Sequence, residues 1–421
     1  MNVSTQSSLW HHPDFLKFWL GQTISGFGSR FTTLALPLMA ITTLDATVAE
    51  LGILTGAAGL PWLLIAPFIG VGIDRLRRRP ILMVADIGRA ILLVTIPIAA
   101  WLGVLQIEHL YGIAFMNGLL HAWFDTAYQA YLPSLVGRTQ LVEGNSKLNI
   151  SSSAADVAGP SIAGVFIQVL TAPLALAVDA FSFVVSAISI GLIQTPEPKP
   201  RLGQHQPFGV ALIEGIRYIW QQAILRAFTG TNATFMFCFG IAQTVLLLFF
   251  TETLALSESM IGLIFGIGGI GGLIGAGLAS WVSSRLGVGI TIIVASILRG
   301  AGLATVPLAA ILPATFTPWF IAIVYTIHQC GWSIWGVTQA SVRQGLSPHH
   351  LRGRITAGFL AVVRSATPLG AFVGGWLGVQ FGVVSTFVMA GVGLVLATGW
   401  LLGASLWQVR EPPLPLDESE M

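Results

Sequence analysis

The residues with the most chemical potential in this sequence are ionisable side chains set inside long apolar runs. Arg30, Asp86, Arg89, His121, Asp125, Asp156, Asp179, Arg299, His328 and Arg364 each lie in a stretch otherwise built largely of Leu, Ile, Val, Ala, Gly and Phe. Taking a charge out of water is costly, so a carboxylate or imidazole kept in such a setting is a candidate for carrying a proton or meeting a ligand. Asp156 ranks first as a proton carrier, with a structural role as the alternative. It opens the run Asp156-Val-Ala-Gly159-Pro160-Ser-Ile-Ala-Gly164, in which Pro160 has no N–H to give the Asp156 carbonyl. Asp86 and Asp179 are further coupling candidates, although Asp86 stands three residues from Arg89 on one helical face and can simply pair with it. His121 and His328 bring imidazoles, whose ordinary titration range is near neutrality, but a lone intramembrane histidine more often serves as a hydrogen-bonding residue. Covalent chemistry is not indicated. No Gly-x-x-x-x-Gly-Lys phosphate loop, His-Glu-x-x-His or Gly-x-Ser-x-Gly occurs, so neither ATP hydrolysis, an enzyme activity, a metal nor a cofactor is expected.

These side chains must be positioned by helices in a bilayer. Of the 421 residues 54% are hydrophobic and only 9% charged, against about 25% charged in a soluble domain. So little charge cannot cover a water-facing surface of this size. The 20 Lys and Arg and 18 Asp and Glu nearly cancel, which argues against a nucleic-acid partner. A cleaved signal peptide is not expected, because the first residues lack a basic segment followed by a short apolar one. A span needs roughly 20 mostly apolar residues, and such runs are predicted at about 15–40, 50–73, 80–103, 110–133, 146–171, 173–194, 227–250, 260–284, 289–312, 317–340, 355–381 and 384–407.

Basic residues orient the spans, because cytoplasmic connections retain positive charge. Arg75, Arg77, Arg78 and Arg79 follow span 2; Arg138 and Lys147 flank the link between spans 4 and 5; Lys199, Arg201, Arg217 and Arg226 fall between spans 6 and 7. Arg285, Arg343, Arg352, Arg354 and Arg410 continue the same side, while the opposite links hold Asp45, Glu50, Glu108, Glu252 and Glu258 and no Lys or Arg. Both termini are therefore expected in the cytoplasm of a plasma-membrane (bacterial inner-membrane) protein. The organisation expected is a six-helix half over 1–194, a cytoplasmic linker with a surface helix over 195–222, a second six-helix half over 223–410 and an acidic tail over 411–421.

The two halves repeat. A shift of 210 residues lays Gly52, Gly56 and Gly59 on Gly262, Gly266 and Gly269, Arg75 on Arg285, Arg89 on Arg299, Pro97 on Pro307, Gln129 on Gln339 and Gly164 on Gly374. Six spans per half is an even number, so the copies share one orientation. A parallel repeat of this kind relates two bundles by an axis along the membrane normal, with the substrate site between them. The fold class expected is all-α, with twelve transmembrane helices in two pseudo-symmetric halves.

The segment Gly70-Val-Gly-Ile-Asp74-Arg75-Leu-Arg77-Arg78-Arg79-Pro80 resembles the loop motif between spans 2 and 3 of the major facilitator superfamily, with Arg77 where that motif usually has Gly. The resemblance implies a cytoplasmic latch built on Gly70, Asp74, Arg75 and Arg78, joined by Asp125. The run from Asp156 through Gly159 and Pro160 to Gly164 partly resembles the superfamily's antiporter motif, in which span 5 packs on span 8. Gln129-Ala-Tyr-Leu-Pro133 and Gly144-Asn145 extend the likeness toward the branch of enterobactin and macrolide exporters.

In that family spans 1, 4, 7 and 10 line a central cavity, and each carries a polar stripe here. The candidates are Gln22 and Ser29; Asn117, His121, Tyr128 and Gln129; Asn232, Phe239 and Gln243; and Tyr325, Gln329, Trp332 and Trp335. Polar groups facing lipid are costly, so the stripes should face inward. Many family members have an acid in span 1 where Ser29 stands, so coupling is expected elsewhere, at Asp156. The resemblance implies a monomeric secondary exporter of a small amphipathic molecule (a drug, antibiotic or siderophore) in exchange for protons. Uniport or uptake of a small metabolite, and a transport-dead receptor or scaffold, are the other functions weighed.

Overall fold

The structure is a computed structural model. It describes residues 8–137, 139–197, 208–348, 351–403 and 406, with the side chains of 65–75, 208 and 211 outside the description. Among the described residues six long helices precede a linker helix: α1 (Pro13–Leu44), α2 (Val48–Arg75), α3 (Arg78–Trp101), α4 (Ile107–Val136), α5 (Leu141–Leu170) and α6 (Ala172–Gly191). The linker helix is α7 (Phe208–Gln221). Six more follow: α8 (Ala223–Leu248), α9 (Glu258–Leu286), α10 (Val288–Ala304), α11 (Thr317–Gly345), α12 (Arg352–Phe381) and α13 (Val383–Leu396), the last extended by the short α14 (Gly399–Leu402). Nine helices among the described residues are long and apolar enough to cross a membrane, and α2 adds the apolar Val48–Leu64. The polar-striped α4 and α11 are not among the nine. The span expected at 289–312 is shorter as α-helix, because Pro307 turns its end into the 3₁₀ segment Val306–Ile311. The span expected at 384–407 breaks between Leu396 and Gly399.

Helix starts are set by local chemistry. Thr47 and Glu50 form a capping box on α2: the Thr47 backbone N–H donates to Glu50 Oε2 at 2.7 Å, and the Glu50 N–H donates to Thr47 Oγ1 at 3.3 Å. Ser257 caps α9 by accepting the Met260 N–H. The start of α3 has a cap supplied from far along the chain. Glu197 accepts the backbone N–H groups of Arg78 at 2.6 Å and Arg79 at 3.1 Å, and lies 3.7 Å from the Arg78 guanidinium. Asp14 ties the start of α1 to the end of α6 by accepting from the Gln194 and Thr195 N–H groups. These contacts mark one side of the molecule, the linker side, where helices α1, α3 and α6 are clipped together.

Helices α1 to α6 pack among themselves, as do α8 to α13, and the two sets meet along two seams, α2 on α12 and α5 on α9. Both seams are tightest on the side away from the linker, and glycine is the reason. A methyl added at Gly52 would fall 2.7 Å from the Gly375 Cα, and one at Gly262 would fall 2.4 Å from the Pro160 carbonyl oxygen. Small residues let the backbones approach this closely. Ser161 adds an inter-helix hydrogen bond to the Gly262 carbonyl at 3.3 Å.

Candidate functional site

Between the two sets lies a cavity of about 610 Å³, lined by α1, α2, α5, α8, α9 and α11. Its two walls differ in chemistry. The first-half wall is charged: Arg30 Nη2 of α1 lies 2.5 Å from Asp156 Oδ1 of α5. Gly159 makes this pair possible, because a methyl there would sit 2.7 Å from Arg30 Cγ, where the arginine stem passes. Thr33, Pro37, Pro160, Thr55 and Ser153 line this side too, with Leu34 and Leu51.

The second-half wall is aromatic. The rings of Phe235, Phe239 and His328 lie nearly parallel, at interplanar angles of 14°, 11° and 6°. Trp332 closes against Phe235 and Phe239 with centroids at 5.7 and 5.6 Å. His328 Nδ1 donates to the Arg299 carbonyl oxygen at 2.6 Å, so in the neutral ring Nε2 is the acceptor. Behind the wall, Arg299 is 1% exposed and its guanidinium carbon lies 4.0 Å from the ring centroids of both Phe235 and Trp335. Asn232 Oδ1 accepts one of its hydrogens at 3.0 Å. Gln243, Thr244, Tyr325, Gln329 and Ser333 supply further polar groups. Such a cavity suits a ligand with a flat apolar body and a few polar or charged groups.

The structure sorts the expected residues. Phe239, Gln243, Tyr325, Gln329, Trp332, His328 and Asp156 line the cavity. Gln22 turns away and donates to Ser186 of α6 at 3.1 Å. Asn232 and Trp335 are buried against Arg299. Tyr128 stacks between Phe18 and Phe124 inside the first half. Ser29, Asn117, His121 and Gln129 do not border this cavity. Among these four His121 and Gln129 are exposed, and Ser29 and Asn117 are half-buried.

Two further proton-coupling candidates, Asp86 and Asp179, lie buried within the first half and do not line the cavity. Asp86 is buried and hydrogen-bonded to Arg89, whose guanidinium stacks between Phe124 and Phe183 at 4.5 and 4.1 Å. Asp179 accepts from Thr32 Oγ1 at 2.5 Å and Ser182 Oγ at 3.0 Å, away from the cavity. The expected joining of Asp125 to Arg78 is not seen: among the described residues Arg78 pairs with Glu197. The Gly70, Asp74 and Arg75 side chains lie outside the described residues. Gly164 sits at the α5–α9 seam, where a methyl would fall 3.0 Å from the Gly262 Cα. The residue that sequence reasoning left unassigned is Arg30. Its signal was its own rarity, a guanidinium one helical turn from Gly26 within an apolar span.

The comparisons with known proteins agree with this architecture. The family model of the Major Facilitator Superfamily matches residues 18–367. The chain belongs to the major facilitator superfamily. It is a multi-pass membrane transporter and not an enzyme. It is 25% identical over 386 residues to the multidrug efflux pump Tap of Mycolicibacterium fortuitum, covering 88% of this chain and 91% of that one. It is 25% identical over 409 residues to the enterobactin exporter EntS of Salmonella typhimurium, covering 95% and 94%. The macrolide efflux protein A of Streptococcus pyogenes matches at 24% over 226 residues, 53% of this chain and 56% of that one. Among solved structures, a bacterial homologue of the iron transporter ferroportin in its inward-facing state superposes with TM-score 0.77 at 18% identity, covering 94% and 99%. Its outward-facing state gives 0.60.

Proposed function

We propose that this transporter exports a small amphipathic molecule in exchange for protons, with Asp156 as the proton carrier and Arg30 as its resting partner. The observation that carries the proposal is the Arg30–Asp156 pair at 2.5 Å in the wall of a cavity whose other wall is aromatic. Charge inside a bilayer is costly, so an acid and a base kept there are held for use. With Asp156 ionised, the pair is closed. A proton on Asp156 dissolves the pair, and an incoming ligand that offers a cation or a strong donor competes with that proton for the same carboxylate. Competition for one group is the simplest source of antiport. The rings of Phe239 and Trp332 would hold the ligand's apolar body, with Gln243, Gln329 and His328 Nε2 meeting its polar groups.

Glycine seams joined on the far side, with the linker-side ends of α5 and α9 apart, correspond to an inward-facing form if the linker side is cytoplasmic. The higher likeness to the inward-facing ferroportin homologue supports this. Rocking of the 1–194 half against the 223–410 half, about the linker over 195–222, would then expose the cavity to the other side.

The test is reconstitution in liposomes with a trapped pH-sensitive dye, an imposed proton gradient and a panel of lipophilic cations, macrolides and catecholate siderophores. Substrate-evoked proton flux that disappears in Asp156→Asn and in Arg30→Gln is the expected result. Substrate movement without proton flux would replace antiport by uniport.

A further inference from the structure

Away from the cavity, the core of the first half buries two carboxylates and one guanidinium. Asp86, Arg89 and Asp179 are 0%, 4% and 1% exposed. Arg89 is bonded to Asp86, and its guanidinium lies between the Phe124 and Phe183 rings. Asp179 of α6 has no cation among its hydrogen-bond partners. Those partners are the hydroxyls of Thr32 on α1 at 2.5 Å and of Ser182 on α6 at 3.0 Å. The charged groups whose fields reach Asp179 are Arg89 and Asp86 of α3; among the described residues α1 and α5 turn none toward it.

The repeat shows that this arrangement is particular to one half. The shift of 210 keeps the arginine, as Arg299, but carries Asp86 to Ser296, Asp179 to Met389, Thr32 to Ala242 and Ser182 to Val392. The guanidinium belongs to the shared plan, and the two acids and the hydroxyls around Asp179 do not.

Two counts bear on the charge state of this core. With both acids ionised, the three side chains leave one uncompensated negative charge inside a bilayer-embedded bundle, which is costly. The donors are also too few. An ionised carboxylate has about four lone-pair sites to satisfy. Asp14, near the linker, is given the Lys17 ammonium, the Gln194 and Thr195 N–H groups and the Thr195 hydroxyl. Asp179 is offered one hydrogen by Thr32 and a share of another, because the Ser182 hydroxyl also meets the Asp179 backbone carbonyl at 2.8 Å. A proton settles both counts. Placed on Asp179 Oδ2 it reverses the bond and donates to Thr32 Oγ1, and the three side chains become neutral together. Asp86 keeps its charge because Arg89 is in contact with it. A metal ion does not fit in the proton's place. It needs several oxygen ligands, and even a methyl at Gly28 would fall 2.6 Å from Asp179 Oδ1 and 2.2 Å from Ser182 Oγ.

We propose that Asp179 is a proton-binding site separate from the cavity: it carries a proton bonded to Thr32, which neutralises the acid left over by the Asp86–Arg89 pair. The site bears on the cavity through α1. Residues two apart stand on opposite sides of a helix, so Arg30 meets Asp156 of α5 while Thr32 meets Asp179 of α6. The Asp179 proton pins the helix that presents Arg30. The inference does not depend on the proposed export function, and its test needs no substrate.

Infrared spectroscopy of the full chain in lipid reads the proton directly, because a protonated carboxyl stretches at higher wavenumber than a carboxylate. At neutral pH the wild type should show such a band, moved down by heavy water and lost in Asp179→Asn. Thr32→Val removes the hydrogen-bond acceptor and should move the band up. Ser186→Ala, beside Asp86, should leave it in place, and so should Asp156→Asn, whatever becomes of the export function. Asp86→Asn removes the acid that balances Arg89, so Asp179 should ionise and the band should vanish. No band that Asp179→Asn removes overturns the proposal. So does a band that follows Ser186→Ala and ignores Thr32→Val, which puts the proton on Asp86, or one that survives Asp86→Asn. Asparagine has the shape of the neutral acid and can donate to Thr32, so Asp179→Asn is expected to fold. If it does not, heavy-carbon labelling of the aspartate carboxyls together with Thr32→Val decides the same question.

Discussion

The two halves bury the same arginine in two different ways. Arg89 and Arg299 are equivalent under the 210-residue shift, 4% and 1% exposed, and each guanidinium stacks between two aromatic rings. Arg89 also has a carboxylate, Asp86, one turn away. The same shift turns Asp86 into Ser296, which bonds Thr398 at 2.9 Å, and Arg299 is left with Asn232, Phe235 and Trp335. A buried cation needs compensation from somewhere, and ring faces can supply about 2 kcal/mol when desolvated. The difference teaches where the ligand wall comes from. In the first half compensation is local, and the cavity side of α1 and α5 is left for Arg30 and Asp156. In the second half compensation comes from the same aromatic stack that faces the cavity, so the charge behind the wall also fixes the rings in front of it.

That comparison can be broken most strongly at Asp86. Asp86→Asn leaves Arg89 buried without its carboxylate and should cost about 3–5 kcal/mol, read as a fall in the thermal midpoint of the protein in detergent. A loss no larger than that of a surface substitution would mean that rings suffice in both halves. Trp335→Leu should follow, at about 3 kcal/mol, from lost packing and a lost cation–π face. Placing Ser296→Asp beside it sharpens the point: a carboxylate restored one turn from Arg299 should reduce the Trp335→Leu loss, and a double-mutant cycle measures the coupling. Asn232→Ala removes one hydrogen bond to a charged group and should cost about 1.5 kcal/mol, with weaker ligand binding if the wall loosens, measurable as quenching of tryptophan fluorescence. The smallest effect is expected away from both arginines, at Ser161→Ala, where a membrane inter-helix hydrogen bond is worth about 0.6 kcal/mol.

Asp156 was legible as a candidate because a carboxylate is rare in an apolar run, and the Gly159-Pro160 pair marked its surroundings. Its partner was not, since Arg30 comes from another helix and reaches it only because Gly159 leaves a path for the stem. Phe239, Gln243, Tyr325, Gln329 and Trp332, read from their stripes, line the cavity between the halves. Gln22, Asn232 and Trp335 lie on the same stripes and face other helices, because a stripe specifies an inward direction and not which inward neighbour it meets. Arg78 shows another limit: its pairing with Glu197 joins positions far apart in the chain that no spacing connects.

By itself the sequence determined that this chain lives in a bilayer, since 9% charged residues cannot cover a soluble surface, and that its helices form two copies of one plan, since special residues recur at one shift. It also determined which residues are too costly to be idle. Only the tertiary structure decided which of those charges neutralise one another and which face the cavity, because a pair forms through distance in space and burial through neighbours. It likewise decided which helices carry the contact between the halves, α2 on α12 and α5 on α9. Trp62 and Arg364 meet only because two separate helices bring ring and guanidinium into contact.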